Sequence, residues 1–479
     1  LNSPSSMYGH TFIRVDPENY NDNTQLLSYT VNYAANSATN ENQFVLAYKG
    51  LVGGYKGITN LLPYHMKVKE YSDMESRDIW EYQLNFTPAE TAQLIRHVWE
   101  IEAINFDYFY LDENCAYRVI ALLEVARPSL DILETFSTHA IPVDTIRKII
   151  EADTLVDVVF RPSLATQIHS YIAQVSQPVR QYAEGLVDGS TTSADLIKSD
   201  LTESEKVTTL ELAYEALRYK KQTEDLDPDM VRKRNFPILQ ARSRFKEKST
   251  LKQPDIPNVR ADQGHKSGRM QLQTGIVDEL NYTSLEWRPS FHELIDPPDG
   301  FTEGAQIEFL KTKFTYYESG TVKLDNVKII NIASLSPRDS FFKPLSWEVS
   351  FGLRRAFVNA KDPLIAYFTG GAGHSYPFLD GTFYGLFNLE FQVNNNFDNN
   401  HSVGPGIHTG WLRYHKYGQT MLEVKYNNYL LGEDYQLGEL NGQHTFNLSK
   451  NQTLAVKAAR EKRHKNTLTN LSLAYSYFF

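Results

Sequence analysis

Cysteine is nearly absent: Cys115 is the only one in 479 residues. A single thiol forms no internal disulfide and shares no metal site with a second cysteine. That leaves either an inert buried group or a nucleophile. Long hydrophobic runs are also missing, and no apolar stretch approaches the roughly 20 residues of a membrane helix. Positive charge is in deficit, with 48 Lys and Arg against 58 Asp and Glu for a net charge of −10. This argues against nucleic acid, whose phosphates call for clustered cations. No signal peptide is present, and residue 1 falls almost on a histidine motif, so the sequence is expected to continue a longer precursor. A secreted destination is then permitted.

The remaining composition is that of folded protein, 41% hydrophobic and 22% charged, and the length suggests two or three domains. Three zones are expected. Residues 1–180 mix strands and helices. His10 to Val15 alternates like a strand, and Gln25 to Tyr33 reads as its hairpin partner across the polar turn Asp16 to Asn23. A Gly-rich stretch, a strand Trp80 to Leu84 and a helix from Pro88 to about Ile104 follow. That helix opens on Thr87-Pro88-Ala89-Glu90, a capping-box pattern with proline in the first turn. Residues 181–265 are polar and charged, with helical pattern over Leu201 to Lys221 and Asp229 to Lys246, and read as a helical connector.

From residue 266 to 479 the period becomes two. Trp347, Val349, Phe351 and Leu353 alternate with Ser346, Glu348, Ser350 and Gly352, and about twelve such segments recur between Gly, Asn, Asp and Pro turns. Aromatics, 13% overall, concentrate here. Each strand therefore has one wet and one dry face, as in a soluble sandwich or an outer-membrane barrel. Two features favour the barrel. The last nine residues carry apolar or aromatic groups at alternate positions and end in Phe479, like the terminal strand of outer-membrane barrels. The other face bears the long charged side chains Glu348, Glu390, Glu423 and Lys425, which a polar lumen tolerates.

Cys115 sits where the acidic turn Asp112-Glu113-Asn114 meets the apolar helix Ala116 to Val125. The helix N-terminus stabilises a thiolate. Its own amide, unpaired within the helix, is a natural oxyanion donor. A thiol nucleophile needs a base, and His10 on the early strand is the candidate. The strand paired with His10 supplies Asn32 to orient it. Tyr8, Tyr33 and Asn114 are candidates for oxyanion contact. Gly53 and Gly54 either punctuate a turn or admit a substrate headgroup, with Lys56 beside them. His65 and His97 read as structural histidines. No metal and no cofactor is implied.

The order His before Cys reverses that of papain and matches circularly permuted papain-like enzymes. Four ordered stretches carry a more specific resemblance: Ser3-Pro4-Ser5-Ser6-Met7-Tyr8-Gly9-His10-Thr11-Phe12, Tyr48 to Gly57, Arg77-Asp78-Ile79-Trp80-Glu81-Tyr82, and Asn114-Cys115-Ala116-Tyr117-Arg118. Together they resemble the periplasmic catalytic domain of the Lnb-type lipoprotein N-acyltransferases over about residues 1–170. The resemblance implies an α+β permuted papain-like domain with Cys115 as nucleophile and His10 as base; Asn32 comes from strand pairing alone. It also implies a phospholipid acyl donor, a lipoprotein N-terminus as acceptor, and no nucleic acid. The expected location is the outer membrane of a Gram-negative bacterium, with the catalytic domain in the periplasm. Rival readings are a papain-like cell-wall peptidase or amidase, an outer-membrane phospholipase using His374, Ser375 or His408, and a non-enzymatic barrel. Oligomeric state is not legible.

Overall fold

The computed structural model describes residues 7–17, 24–36, 49–50, 52–224, 226–356, 361–397, 399–463 and 466–479. Ser3 to Ser6, Tyr48, Leu51 and residues 18–23 of the expected hairpin turn lie outside them. The chain divides into two compact units, Gly9–Asn258, and Val259–Phe479 together with Tyr8.

In the first unit, β1 (Ile13–Val15) and β2 (Tyr29–Ala35) form the expected antiparallel hairpin, with Ile13 opposite Val31. His10 is not in that strand. Gly9 takes a positive φ of 100°, and regular pairing begins only at Ile13. The next strand, β3 (Tyr55–Pro63), pairs with β2 and places Asn60 opposite Asn32. A separate ribbon is made by β4 (Ile79–Leu84), which pairs with the later segment Leu155–Arg161. A short β5 (Phe106–Tyr108) completes the four-stranded sheet at the edge of β3.

Helices pack on this frame. Helix α1 (Tyr64–Val68) runs directly into a π-helical turn, Lys69–Met74. The next, α2 (Pro88–Ile101), starts with the capping box that its sequence announces: Thr87 Oγ1 accepts from the Glu90 amide, and Glu90 accepts from the Thr87 amide at 2.7 Å. In α3 (Cys115–Ala126), Val119, Leu122, Leu123 and Ala126 recur at helical spacing. They join Leu94, Val98 and Val31 in one core, which ties α3 to α2 and β2. The cap and the stripe together set both the start of α3 and the face it buries.

Five more helices follow: α4 (Pro142–Glu151), α5 (Leu164–Gln174), α6 (Gln177–Asp188), α7 (Ser193–Lys198) and α8 (Glu203–Thr223); α9 (Pro228–Arg242) closes the series. Although α8 reads as polar, its Val207, Leu210, Leu212, Ala213 and Leu217 are all buried, and it packs against α5, α6 and α9.

The second unit is a closed antiparallel barrel of twelve long strands in sequential order. The ring closes where the last strand, Asn466–Phe478, pairs with the first, Arg269–Val277, setting Phe478 opposite Arg269. Two short strands, Ser290–His292 and Leu431–Gly432, pair alongside it. Alternation sorts the side chains into two environments. Phe383, Phe387, Leu389, Phe391, Leu471, Leu473, Tyr475 and Tyr477 point outward and are exposed. Inward stand Arg354 with Glu390, Tyr429 with Glu390 at 2.6 Å, and His408 between Glu348 and Glu423 at 2.7 and 2.9 Å. An apolar exterior of this extent matches hydrocarbon rather than water. Among the described residues no helix is long and apolar enough to cross a membrane; the strands of such a barrel cross instead.

Candidate thiol active site

The Asn114 side chain fixes the start of α3. Its Oδ1 accepts from the Ala116 and Tyr117 amides at 2.9 and 3.3 Å, and its Nδ2 donates to the carbonyls of Tyr110 and Ala140 at 3.1 and 2.6 Å. Two of these contacts cap the helix and two tie it to the neighbouring chain at Tyr110 and Ala140, so Asn114 is a structural anchor of the site. Cys115 is thereby held in the first helical turn, and it is buried.

The imidazole of His10 meets the Cys115 side chain through a hydrogen bond. Its Nε2 lies 2.7 Å from Asn32 Oδ1. With the Asn32 oxygen as acceptor, Nε2 carries the hydrogen and Nδ1 is left to exchange a proton with the thiol. Asn32 is buried in the middle of β2, between β1 and β3, so its amide is held by the sheet. Cys115, His10 and Asn32, which are distant in sequence, thus form one connected chain of side chains.

The electrostatics suit an ion pair. Burial pushes the Cys115 thiol up, but His10, its hydrogen bond and the amides of Thr11 and Ala116 outweigh burial and leave it below its ordinary value. Burial likewise pulls His10 down, while Cys115 and the Asn32 contact raise it above 6.5 on balance; Arg77 opposes them. Each partner favours the charged form of the other, which is how a buried thiol becomes a nucleophile.

Three residues that sequence reasoning did not select complete the surroundings. Tyr71, in the π-helical turn, stacks on His10 at 5.6 Å between ring centroids and on Phe12 at 5.9 Å. Such turns recur at functional sites, but nothing in a sequence announces one. Tyr108 accepts a hydrogen bond from the Cys115 amide, so that amide, expected as the oxyanion donor, already has a partner in its hydroxyl. The aromatic run Phe106 to Tyr110 just before Cys115 was the available signal. Arg77 lies over the Tyr71 ring at 5.0 Å.

The other expected contact residues have different neighbours. The Tyr33 ring stacks on Tyr108 at 5.6 Å, and its hydroxyl fills the space above Gly57, where a Cβ would lie 2.0 Å from it. Tyr8 sets its ring edge against Phe291 and Phe309 of the barrel unit. Gly53 has φ +74°, and a Cβ there would stand 2.4 Å from the Phe109 ring; Gly54 lies against Lys49. These glycines admit side chains of their own domain. Lys56 forms an exposed ion pair with Asp107 at 2.5 Å. In the barrel, His374 is exposed whereas its neighbour Ser375 is buried and bonded to Ser346 at 2.7 Å, so the two occupy opposite faces and form no dyad. His408 is held by two glutamates.

One group among the described residues has the spacing of metal ligands: His265, His292 and Asp296, all buried. Asp296 already accepts from Arg269 and Arg288 at 2.7 and 2.5 Å, and the two imidazoles bond to each other at 2.9 Å. Their polar atoms are matched without a cation.

Residues 1–152 match the family model described as the Lnb N-terminal periplasmic domain. Residues 158–254 and 258–478 match two domains of unknown function, DUF7842 and DUF7840. No curated protein matches the chain significantly. Among solved structures, the chain is similar to a loop-deletion mutant of OmpT, an outer membrane protein of Vibrio cholerae, at 9% identity; the match covers 45% of this chain and 99% of that one, with a TM-score of 0.25. An anion-selective porin from Comamonas acidovorans matches at 10% identity over 44% and 99% of the two chains, with a TM-score of 0.24. The β domain of the Bordetella autotransporter BrkA matches at 10% identity over 45% and 99%, also with a TM-score of 0.24. With the closed apolar-faced barrel and the periplasmic domain match, the chain is an outer-membrane protein carrying a periplasmic domain.

Proposed function

We propose that this protein is a lipoprotein N-acyltransferase of the Lnb type, with a permuted papain-like catalytic domain at residues 1–180. It moves an acyl chain from a phospholipid, through a thioester on Cys115, to the α-amine of a diacylglyceryl-cysteine lipoprotein. The observation that carries this reading is the connected chain Cys115–His10–Asn32 at the start of a buried helix.

In the first half-reaction the Cys115 thiolate attacks the ester carbonyl, and the tetrahedral oxyanion forms beside the Tyr108 hydroxyl, which donates its O–H to it while accepting from the Cys115 amide. As the C–O bond breaks, the His10 imidazolium gives its proton to the departing lysophospholipid. In the second, the free amine attacks the thioester and His10 takes the proton that the amine loses. Collapse then releases amide and thiolate, which restores the ion pair. Asn32 keeps the imidazole in one tautomer throughout. A thioester suits an amine acceptor, and burial of Cys115 limits the competing attack by water. The membrane barrel keeps the domain where both lipid substrates lie, which raises their effective concentration.

The test is incubation with a labelled phospholipid and a diacylated lipopeptide, followed by mass spectrometry of protein and peptide. An acyl adduct on Cys115 and an N-acylated peptide are expected, both lost in Cys115→Ala. Undiminished transfer in that variant would overturn the thioester mechanism. Cleavage of a peptidoglycan peptide independent of lipid would favour a peptidase instead.

A further inference from the structure

We infer that Arg77 recognises the phosphate of the acyl donor's headgroup, so that the donor is selected as a phosphate-bearing lipid; this rests on the acyl-transfer reading above. The stretch Arg77 to Tyr82 carries three charged residues, and two of them are accounted for by the fold. Asp78 accepts from the Ser163 amide and the Thr166 hydroxyl, both at 2.7 Å, and secures the start of α5. Glu81 gathers Tyr64 at 2.6 Å, Arg161 at 3.0 Å and Arg14. Arg77, which also pairs with Glu75, is the one whose charge is felt at His10. The π-helical turn closes with Glu75 N–H bonded to Glu70 O at 3.0 Å, and Arg77 N–H then bonds to Tyr71 O at 2.8 Å. This brings the guanidinium to 5.0 Å from the centre of the ring that stacks on His10. A second cation, Lys67, stands 5.3 Å from the same ring.

A cation beside a base that must itself carry positive charge works against that base. Arg77 does oppose protonation of His10. The arrangement makes chemical sense when an anion binds there and offsets the charge. Arg77 pairs with Glu75 at 2.8 Å, on a carboxylate that is 41% exposed. Ion pairs of that kind are weak, and a phosphate offers the guanidinium the stronger bidentate geometry. Of the two proposed lipid substrates only the donor carries phosphate, so the effect of Arg77 belongs to the first half-reaction.

Two measurements on the full chain in detergent test this. In turnover, Arg77→Ala is expected to lower kcat/KM for phosphatidylethanolamine roughly tenfold to a hundredfold, the range of one hydrogen-bonded charge pair. On the plateau of its pH profile, transfer from a neutral p-nitrophenyl acyl ester should fall far less than transfer from the phospholipid, and Arg77→Lys should recover part of the phospholipid loss. The charged groups facing His10 are Cys115 and Arg77, with the Tyr71 phenol beside them. Removing Arg77 therefore moves the basic limb of the neutral-ester profile upward. In binding, a short-chain phosphatidylethanolamine should hold to Cys115→Ala more tightly than the matching diacylglycerol, and adding Arg77→Ala should erase the difference. Inorganic phosphate that competes only when Arg77 is present marks a site open to the free ion; no competition, with the lipid preference retained, marks one reached by headgroups alone. Equal losses with both donors, or no loss with the phospholipid, would overturn the inference. The binding arm stands even if the acyl-transfer reading fails, which would appear separately as no acyl adduct and no N-acylated peptide with the unaltered protein, or as undiminished transfer in Cys115→Ala.

Discussion

The two units of this chain solve opposite solvation problems. In Gly9–Asn258 the fully buried side chains are mostly aliphatic, such as Ile120, Leu164, Ile168 and Leu210, and buried polar groups are few and purposeful. In the barrel the largest buried side chains include Arg288, Tyr384 and Tyr429, while Phe387 and Leu471 are 65% and 60% exposed. Both follow the same rule of placing each side chain beside what solvates it; only the solvent differs. The buried thiol and half-buried imidazole of the first unit are an exception beside an apolar core, whereas buried charge is the norm in the second. Exceptions of that kind are where function concentrates.

The strongest way to break the comparison is to remove the exception. Cys115→Ala is expected to abolish acyl transfer, and His10→Ala to lower it by roughly 10²–10⁴, the usual contribution of a general acid and base; both should fold, as checked by mass spectrometry of products and by gel migration. In the barrel, Glu390→Ala strips Arg354 of its partner. With the Arg354 side chain 25% exposed, the loss should be below that of a fully buried pair, about 1–3 kcal/mol, which urea unfolding in lipid vesicles would register. Outward positions sharpen the contrast directly. Phe387→Lys, in the middle of a strand facing lipid, should cost about 2–4 kcal/mol. Trp99→Lys, on an equally exposed apolar residue of α2, should change stability by no more than about 0.5 kcal/mol. Equal effects at the two sites would refute the membrane reading of the barrel.

Asn32→Ala tests the smallest link. A hydrogen bond to a charged group contributes about 1.5–3 kcal/mol, or roughly tenfold to a hundredfold in rate. The pH dependence should move with it. His10, raised above 6.5, keeps its proton as pH rises past that value, and Cys115, lowered below its usual range, stays ionised as pH falls. The active form spans the overlap, with loss on the acid side from thiolate protonation and on the basic side from imidazolium deprotonation. Without Asn32 the basic limb should shift down, since one contact that holds the proton is gone.

Much of the fold was legible because local signals were strong. Thr87 and Glu90 announce the start of α2, and strict alternation from residue 269 onward announces the barrel strands. The hairpin that sets Asn32 beside His10 followed from pattern as well, although pairing starts at Ile13 and His10 lies just before it. Of the site, Cys115, His10 and Asn32 were legible as candidates, whereas the groups around them were not. Tyr71 reaches His10 through a π-helical turn, and Tyr108 reaches the Cys115 amide across a sheet edge. Gly53 and Lys56, which looked available for a substrate, are engaged by Phe109 and Asp107. Neither kind of contact has a sequence period.

What the sequence alone determined is therefore what repeats or caps: the helix start at Cys115, the period-two strands, the lack in these 479 residues of an apolar run long enough for a membrane helix, and a single thiol with no second cysteine to pair with. The sequence also offered His10 and Asn32 as partners of the thiol; tertiary structure supplied the contacts between them and decided which ring and cation border them. The physical reason is range. Capping and alternation act over a few residues of one segment, whereas a thiolate is stabilised by whatever charge lies within a few ångströms, and here that charge comes from residue 10, more than a hundred positions away.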